Sequence, residues 1–424
     1  MAARPSPCRA LTRRVQPFIL AAVSVPVVDV TSSDFKANAY AYYARLRSEA
    51  PVHPVKLPSG PVGWLVSRYD DVALLLKDTR LAKDRKNALG SRPFSRLPAM
   101  LGFLQAIERN MLDVDAPDHT RLRGLVHLAF TPRLVERMRA RIETLSEELL
   151  SRALAAGGMD LIAAYALPIP LTVISEMLGI PAADRPRFQK WSNAIVAVTA
   201  SPNLFRVLPA IWMFVRYIRR MIAAKRADPQ DDLISALMRA EEAGERLSEE
   251  ELVAMVFLLV VAGHETTVHL IGNGALALLR FPEQLARLRH DPALDATAVE
   301  ELLRFQGPVE VSTERYAREE IEIAGVTIPR GALVYGVLAS ANRDETQFEK
   351  ADVLDVGRER NRHLAFGQGI HYCLGAPLAR LEGQIALRRL LDRVPTLRLA
   401  VPEASLRWRK GLNLRGLEAL PVTW

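Results

Sequence analysis

HLAFGQGIHYCLGAPLAR, residues 363–380, carries Cys373, one of 2 cysteines in a chain of 424 residues. Gly367, Gly369 and Gly375 crowd it. A lone cysteine is most often a small buried hydrophobe. Here the glycines give it a different setting, because backbone without side chains can approach something flat and bulky. A helix starting at Leu374–Ala376, with Pro377 tolerated in its first turn, points N–H groups and a positive dipole end at the sulfur. Those donors favour a thiolate over a thiol. A thiolate with no cysteine partner is a candidate axial ligand for haem iron.

Working outward, most of the chain has helical periodicity. The pattern predicts helices over 69–77, 117–130, 132–156, 170–178, 184–198, 204–227, 230–241, 248–280, 282–289, 296–305 and 375–392. Two short β runs, PVHPV (51–55) and GWLVSRY (63–69), flank the turn Pro58-Ser59-Gly60-Pro61. A further β region covers 320–338. The fold class expected is therefore mainly α, a multihelical single domain over 26–424 with a small β lobe. Helix 248–280 opens on a capping box, Ser248 with Glu251. At roughly 50 Å it can cross the whole molecule. Its run LVAMVFLLVVA (252–262) is apolar on every face but too short for a membrane span, so it reads as a buried central helix.

Composition narrows the function. Hydrophobic residues make up 49% and charged residues 25%, ordinary for a globular protein. Cys8 lies in a basic, then apolar leader (1–25) read as disordered, which leaves no disulfide framework and suggests a cytoplasmic protein. The 8 histidines form no ligand-spaced pair, so zinc and iron–sulfur sites are disfavoured. A net charge of +8 allows an acidic partner, but the spread arginines match no nucleic-acid motif.

Three further constellations stand out. AGHETT (262–267) sets Glu265 beside Thr266 midway along the central helix, with Gly263 clearing space. A carboxylate and a hydroxyl there could relay protons to a bound reactant. EELLR (300–304) puts Glu301 and Arg304 on one helix face, ordinarily a weak surface pair. HTRLR (119–123) does the same for His119 and Arg123.

FGQGIHYCLG (366–375) fits the pattern F-x-x-G-x-x-x-C-x-G, and in this it resembles the haem-thiolate signature of the cytochrome P-450 monooxygenases. The other landmarks follow in the family's order over residues 30–424. The resemblance implies haem b held by Phe366, Gly367, Cys373 as axial iron ligand, Gly375, and Ala262 and Gly263 of the central helix. It assigns the propionates to His119, Arg123, Arg315 and His371, and the proton relay to Glu265 and Thr266. It makes Glu301 and Arg304 a structural pair completed by Arg358 or Arg360.

The function implied is insertion of one oxygen atom from O2 into a substrate C–H bond. Electrons would come ultimately from NAD(P)H through a separate ferredoxin or flavodoxin and its reductase. A basic docking face made by Arg121, Arg133, Arg380, Arg388 and Arg389 is expected for that donor. Loop 83–112, the helix pair around 191–217, Leu258, Val261, Val309, Val311, Thr313 and Leu414 are expected to line the pocket. Their apolar character points to a medium-to-large lipophilic substrate. The alternatives are a peroxide-driven hydroxylase, against which the Glu265–Thr266 pair argues, and a non-catalytic haem sensor, which needs no proton relay.

Overall fold

Ser248 starts the longest helix by reciprocal bonding. Its hydroxyl accepts from the Glu251 N–H at 3.2 Å, and its own N–H donates to the Glu251 carboxylate at 2.9 Å. In the computed structural model, which describes residues 28–57, 62–90, 104, 107, 110–196, 207–241 and 244–424, this helix runs Glu249–Arg280. It is buried through Leu252–Val256, as its all-round apolar sequence requires. The leader lies outside the described residues.

Pro168–Met177, Asp295–Gln306 and the cysteine helix Ala376–Arg393 are the helices that pack most extensively on this axis. Gly383 lets the cysteine helix close in, since a Cβ there would stand 2.9 Å from the Leu270 side chain. Four residues on, a Cβ at Gly274 would lie 3.5 Å from Leu387. The two helices therefore advance side by side in the same direction.

The small β lobe is a sheet of 5 strands in the order Val52–Lys56, Val62–Val66, Leu333–Gly336, Arg315–Ala317, Leu81–Ala82. Trp64 pairs in parallel with Val334, and Arg315 pairs antiparallel with the same residue. Ala82 opposes Tyr316. This register brings Lys83, just past the edge strand, beside Arg315.

The structure departs from the expected elements in definite places. Ser33–Glu49 is a helix that the periodicity missed, because Lys36 and Arg47 occupy its buried face. The single helix expected over 132–156 is two, Pro132–Arg137 and Arg139–Leu154. The run expected over 63–69 is strand only to Val66, and its last residue begins the helix Tyr69–Leu75. The region 320–338 divides into a hairpin, Ile321–Ile323 with Val326–Ile328, and a strand of the larger sheet. Pro421–Thr423 pairs with Gly158–Asp160 in a further sheet that the sequence did not indicate.

Glu301 and Arg304 are fully buried, not a surface pair. Glu301 accepts from Arg304 Nε at 2.7 Å, Arg358 Nε at 3.1 Å, Asn361 Nδ2 at 3.1 Å and the Asp355 N–H at 3.0 Å. Arg304 also donates to the carbonyls of Asn342 and Ala351, at 2.9 and 2.7 Å. Arg358, of the two arginines considered, is the partner. Removing one member of such a pair leaves a buried charge uncompensated, at a cost of about 3–5 kcal/mol. Arg304→Leu should therefore lower the urea unfolding midpoint strongly, and Arg358→Leu, at the network's edge, less. Equal midpoints for wild type and Arg304→Leu would show that the network does not hold the fold.

Candidate functional site

The loop around Cys373 is shaped by backbone bonds. The Cys373 N–H donates to the Phe366 carbonyl at 2.9 Å, and the Gly367 N–H donates to the Leu364 carbonyl at 2.8 Å. Gly367 and Gly369 have φ of 70° and 72°, where a side chain would be strained. Gly375 caps the cysteine helix. Burial raises the Cys373 thiol, while the N–H groups of Gly375 and Ala376 and the nearby Arg123 guanidinium pull it down. Arg380 lies over the Phe366 ring, 4.5 Å from its centroid, and also bonds Glu300 through Nε at 2.6 Å. Burial alone would raise Glu300, but Arg380 and His363 hold it down at about 2.

The central helix presents one accessible stripe in an otherwise buried rod. Ala262 is exposed, and Val261, Gly263 and Thr266 are half-buried, whereas their neighbours His264, Glu265 and Thr267 are buried. Leu258 and Leu259 continue the stripe one turn earlier, each 9% exposed. Leu270 packs on Gly383. Two turns back along both helices stand Gly263 and Gly375, and among the described residues no atom outside each glycine's own neighbourhood in the chain lies within 4 Å of a Cβ built at either. A gap thus opens between the cysteine loop and the stripe. The Thr266 hydroxyl there donates to the Ala262 carbonyl at 2.8 Å.

Glu265 points away from the stripe. Its Oε1 lies 3.6 Å from Arg409 Nη1 and 3.8 Å from His269 Nε2. Burial pushes its carboxyl up to about 7, with Arg409 opposing. Burial, reinforced by Arg409, His264 and Lys36, depresses His269 to about 3, so it is neutral and forms no ion pair with Glu265 at pH 7. His264 bonds the Val260 carbonyl within its own helix at 2.7 Å. Arg409, which the sequence reading missed, is 40% exposed and connects Glu265 with solvent.

The four basic residues assigned to an anionic group do gather. The His119 and His371 rings lie 4.3 Å apart between centroids. Both ring nitrogens of buried His119, and Nε of buried Arg315, lack a hydrogen-bond partner among the described residues. Arg315 donates through Nη2 to the Leu76 carbonyl at 3.2 Å. Burial lowers Arg315 to about 10, and burial with Arg123 nearby lowers His119 to about 4. Lys83 was not anticipated. Its ammonium bonds Thr313 Oγ1 at 2.8 Å and the Glu314 carbonyl at 2.9 Å, and burial lowers it to about 8. Only the pairing of its strand with 315–317 reveals it. Buried donors left without acceptors are costly. A flat group carrying carboxylates fits both the gap and these donors.

The expected pocket wall is partly corrected. Val309 is half-buried and bridges Leu414, and Thr313 is exposed. Val311, by contrast, is 1% exposed and packs with Val30, Tyr43 and Leu65, because the extended segment turns it toward the β lobe's own core. Residues 91–103 and 197–206, with most of LPAMLGFLQAI, lie outside the described residues. Leu104, Ile195, Ile211 and Phe214 share one buried cluster. The expected basic docking face is largely neutralised. Arg121 pairs with Glu251 and Glu245, Arg380 with Glu300, Arg388 with Asp295 and Arg389 with Glu143.

Comparison with known proteins agrees with this geometry. The family model described as cytochrome P-450 matches residues 82–396. The polyketide biosynthesis cytochrome P-450 PksS of Bacillus subtilis (strain 168) is 45% identical over 393 residues, 92% of this chain and 96% of that protein. The cytochrome P-450 monooxygenase PikC of Streptomyces venezuelae is also 45% identical, over 95% of each chain. The solved PksS structure superposes with a TM-score of 0.87 at 44% identity, covering 94% of this chain and 99% of that one. A structure of cytochrome P-450 BioI with hexadec-9Z-enoic acid ligated acyl carrier protein gives a TM-score of 0.84 at 38% identity, covering 93% and 100%. A glycine-framed cysteine, a buried basic cluster and full-length kinship leave one assignment: this chain is a member of the cytochrome P-450 family, a haem b monooxygenase.

Proposed function

We propose that this protein hydroxylates a lipophilic acyl or polyketide-like chain in the cytoplasm, with Cys373 as the residue that would bind the haem iron and a ferredoxin or flavodoxin as electron donor. The carrying observation is the gap between Cys373 and the accessible stripe Ala262–Gly263–Thr266. The haem, when bound, supplies activation of O2 by electrons derived from NAD(P)H. The protein's residues supply everything else. The N–H groups of Gly375 and Ala376 stabilise the Cys373 thiolate. His119, Arg123, Arg315, His371 and Lys83 would hold the haem carboxylates by charge-assisted bonds. Leu258, Val261 and Val309 give the substrate an apolar wall. PksS and PikC, whose names place them in polyketide biosynthesis and monooxygenation, support the substrate class, as does the fatty-acyl ligand seen with BioI.

Glu265 is the proton carrier. A carboxyl near 7 can both take and give a proton at neutral pH. Arg409 holds it at the solvent side, and the hydroxyl of Thr266, half-buried on the stripe, is the group that would hold and pass on a proton there.

Arg315→Leu and Lys83→Met each remove a buried charged donor, worth about 1.5–3 kcal/mol, so haem should transfer to apomyoglobin about 10- to 100-fold faster. An unchanged transfer rate would remove that residue from the haem site. Thr266→Ala should keep substrate binding while product per NAD(P)H consumed falls severalfold, the remainder appearing as hydrogen peroxide. Glu265 keeps its proton below about 7 and loses it above. Wild-type turnover should accordingly fall as pH rises through that value. Glu265→Gln should lower turnover by about 10²-fold and flatten the profile. Full coupling in Thr266→Ala, or the same pH profile in Glu265→Gln, would contradict the relay.

A further inference from the structure

Helix Leu208–Ala227 carries Arg216, Arg219, Arg220, Lys225 and Arg226 and contains no aspartate or glutamate. Lys225 is buried against Asp232, and Arg226 lies 3.6 Å from Glu249. The other three are exposed and, among the described residues, make no ion pair. They form one stripe with Trp212 and Ala223 around a shallow hollow. Trp212 is 47% exposed, and Arg216 stands over its ring at 5.3 Å. Arg187 and Lys190 are exposed on the neighbouring helix Arg185–Val196.

The helix's apolar face is already spent. Phe214 is fully buried and meets Phe257 of the central helix edge-on, 5.6 Å between centroids. Phe257 directly precedes Leu258, which lines the stripe. The basic face therefore lies over the substrate side of the central helix. The arginines of the cysteine side, which an electron donor must approach, are mostly neutralised by their own acids. A lipid surface would be met by a continuous outward apolar face, whereas this helix shows only Trp212 and Met213 outward and buries Ile211, Phe214, Val215, Ile218 and Ile222. An acidic protein surface is what three unpaired guanidiniums and an exposed indole would hold.

We propose that the outer face of Leu208–Ala227 docks an acidic carrier protein that presents the acyl substrate as a thioester. This rests on the acyl-chain reading above. Docking there sets the carrier over the pocket roof, so a flexible arm can feed the chain toward the stripe at Leu258 and Gly263. The partner is selected by charge, and the chain by the apolar pocket.

The test titrates ferric holoenzyme with free hexadecanoic acid and with hexadecanoyl acyl carrier protein, following the low-to-high-spin shift. Wild type should bind the carrier-linked chain about tenfold tighter or more, with an advantage that fades as salt rises. In the triple variant Arg216→Glu/Arg219→Glu/Arg220→Glu that advantage should vanish, while the free acid binds within about twofold of wild type. The triple Arg→Lys variant should recover most of it. Equal affinity of wild type for both forms overturns the docking site and leaves the substrate reading standing. Parallel loss of both ligands in the triple variant also overturns it, as does selective loss of binding to phosphatidylglycerol vesicles or of ferredoxin-driven reduction with carrier affinity intact. No shift with either form refutes the acyl-chain reading itself.

Discussion

The carboxylate of Glu301 is the fixed point of the molecule. It sits at zero exposure and accepts from two arginines, an asparagine side chain and a backbone N–H. Its own partner Arg304 reaches the carbonyls of Asn342, Ala351 and Val353. One ion pair thus fastens the segment 342–361 to the helix Asp295–Gln306. The loop bearing Cys373 hangs from that segment. Asn342 accepts the Leu364 N–H at 2.6 Å, and Tyr69 bonds the Arg362 carbonyl at 2.6 Å. A buried pair of this kind adds little net stability, because desolvation cancels much of the attraction. Its value is that it tolerates one arrangement, and the cysteine loop inherits that rigidity.

Electrostatics divide the interior into two regions of opposite demand. Around the gap, buried His119, Arg315 and Lys83 crowd together with donors in excess, an arrangement that stands at its lowest energy when carboxylates are added. Behind the central helix stand two buried carboxyls with raised values. Glu382, on the cysteine helix, is buried and pushed up to about 8 by burial, with Thr267 opposing. Glu265 lies on the central helix with a raised carboxyl of its own. Buried donors on one side of the central helix and carboxyls with raised values on the other are a pattern typical of functional sites.

What the sequence made legible follows from how local each signal is. Cys373 and its glycines declare a close approach within ten residues, and Ser248 with Glu251 declares a helix start within four. The basic residues His119, Arg123, Arg315 and His371 are far apart in the chain, and family likeness alone joined them. Lys83 escaped because its meeting with Arg315 depends on the pairing of Leu81–Ala82 with Tyr316–Ala317. The helix Ser33–Glu49 escaped for a different reason. Lys36 is buried on Glu310, with Tyr43 bonding the same carboxylate at 2.8 Å, so charge occupies positions where periodicity looks for hydrocarbon. Val311 was placed on the pocket wall by its chemistry, but its neighbour Glu310 ties that stretch to Lys36 and turns the valine inward. Arg409 carries no local signal at all, since its role comes from the C-terminal segment reaching the central helix.

Thiolate ligation by Cys373 is the claim on which the rest of the function stands, and the spectrum of the reduced, carbon monoxide-bound protein tests it most directly. The account predicts the strongly red-shifted Soret band of a thiolate ligand in the wild type. It also predicts loss of that band in Cys373→Ser, with helical circular dichroism largely kept. A wild-type Soret band at the position of a histidine-ligated globin, or an unaltered band in Cys373→Ser, would contradict it.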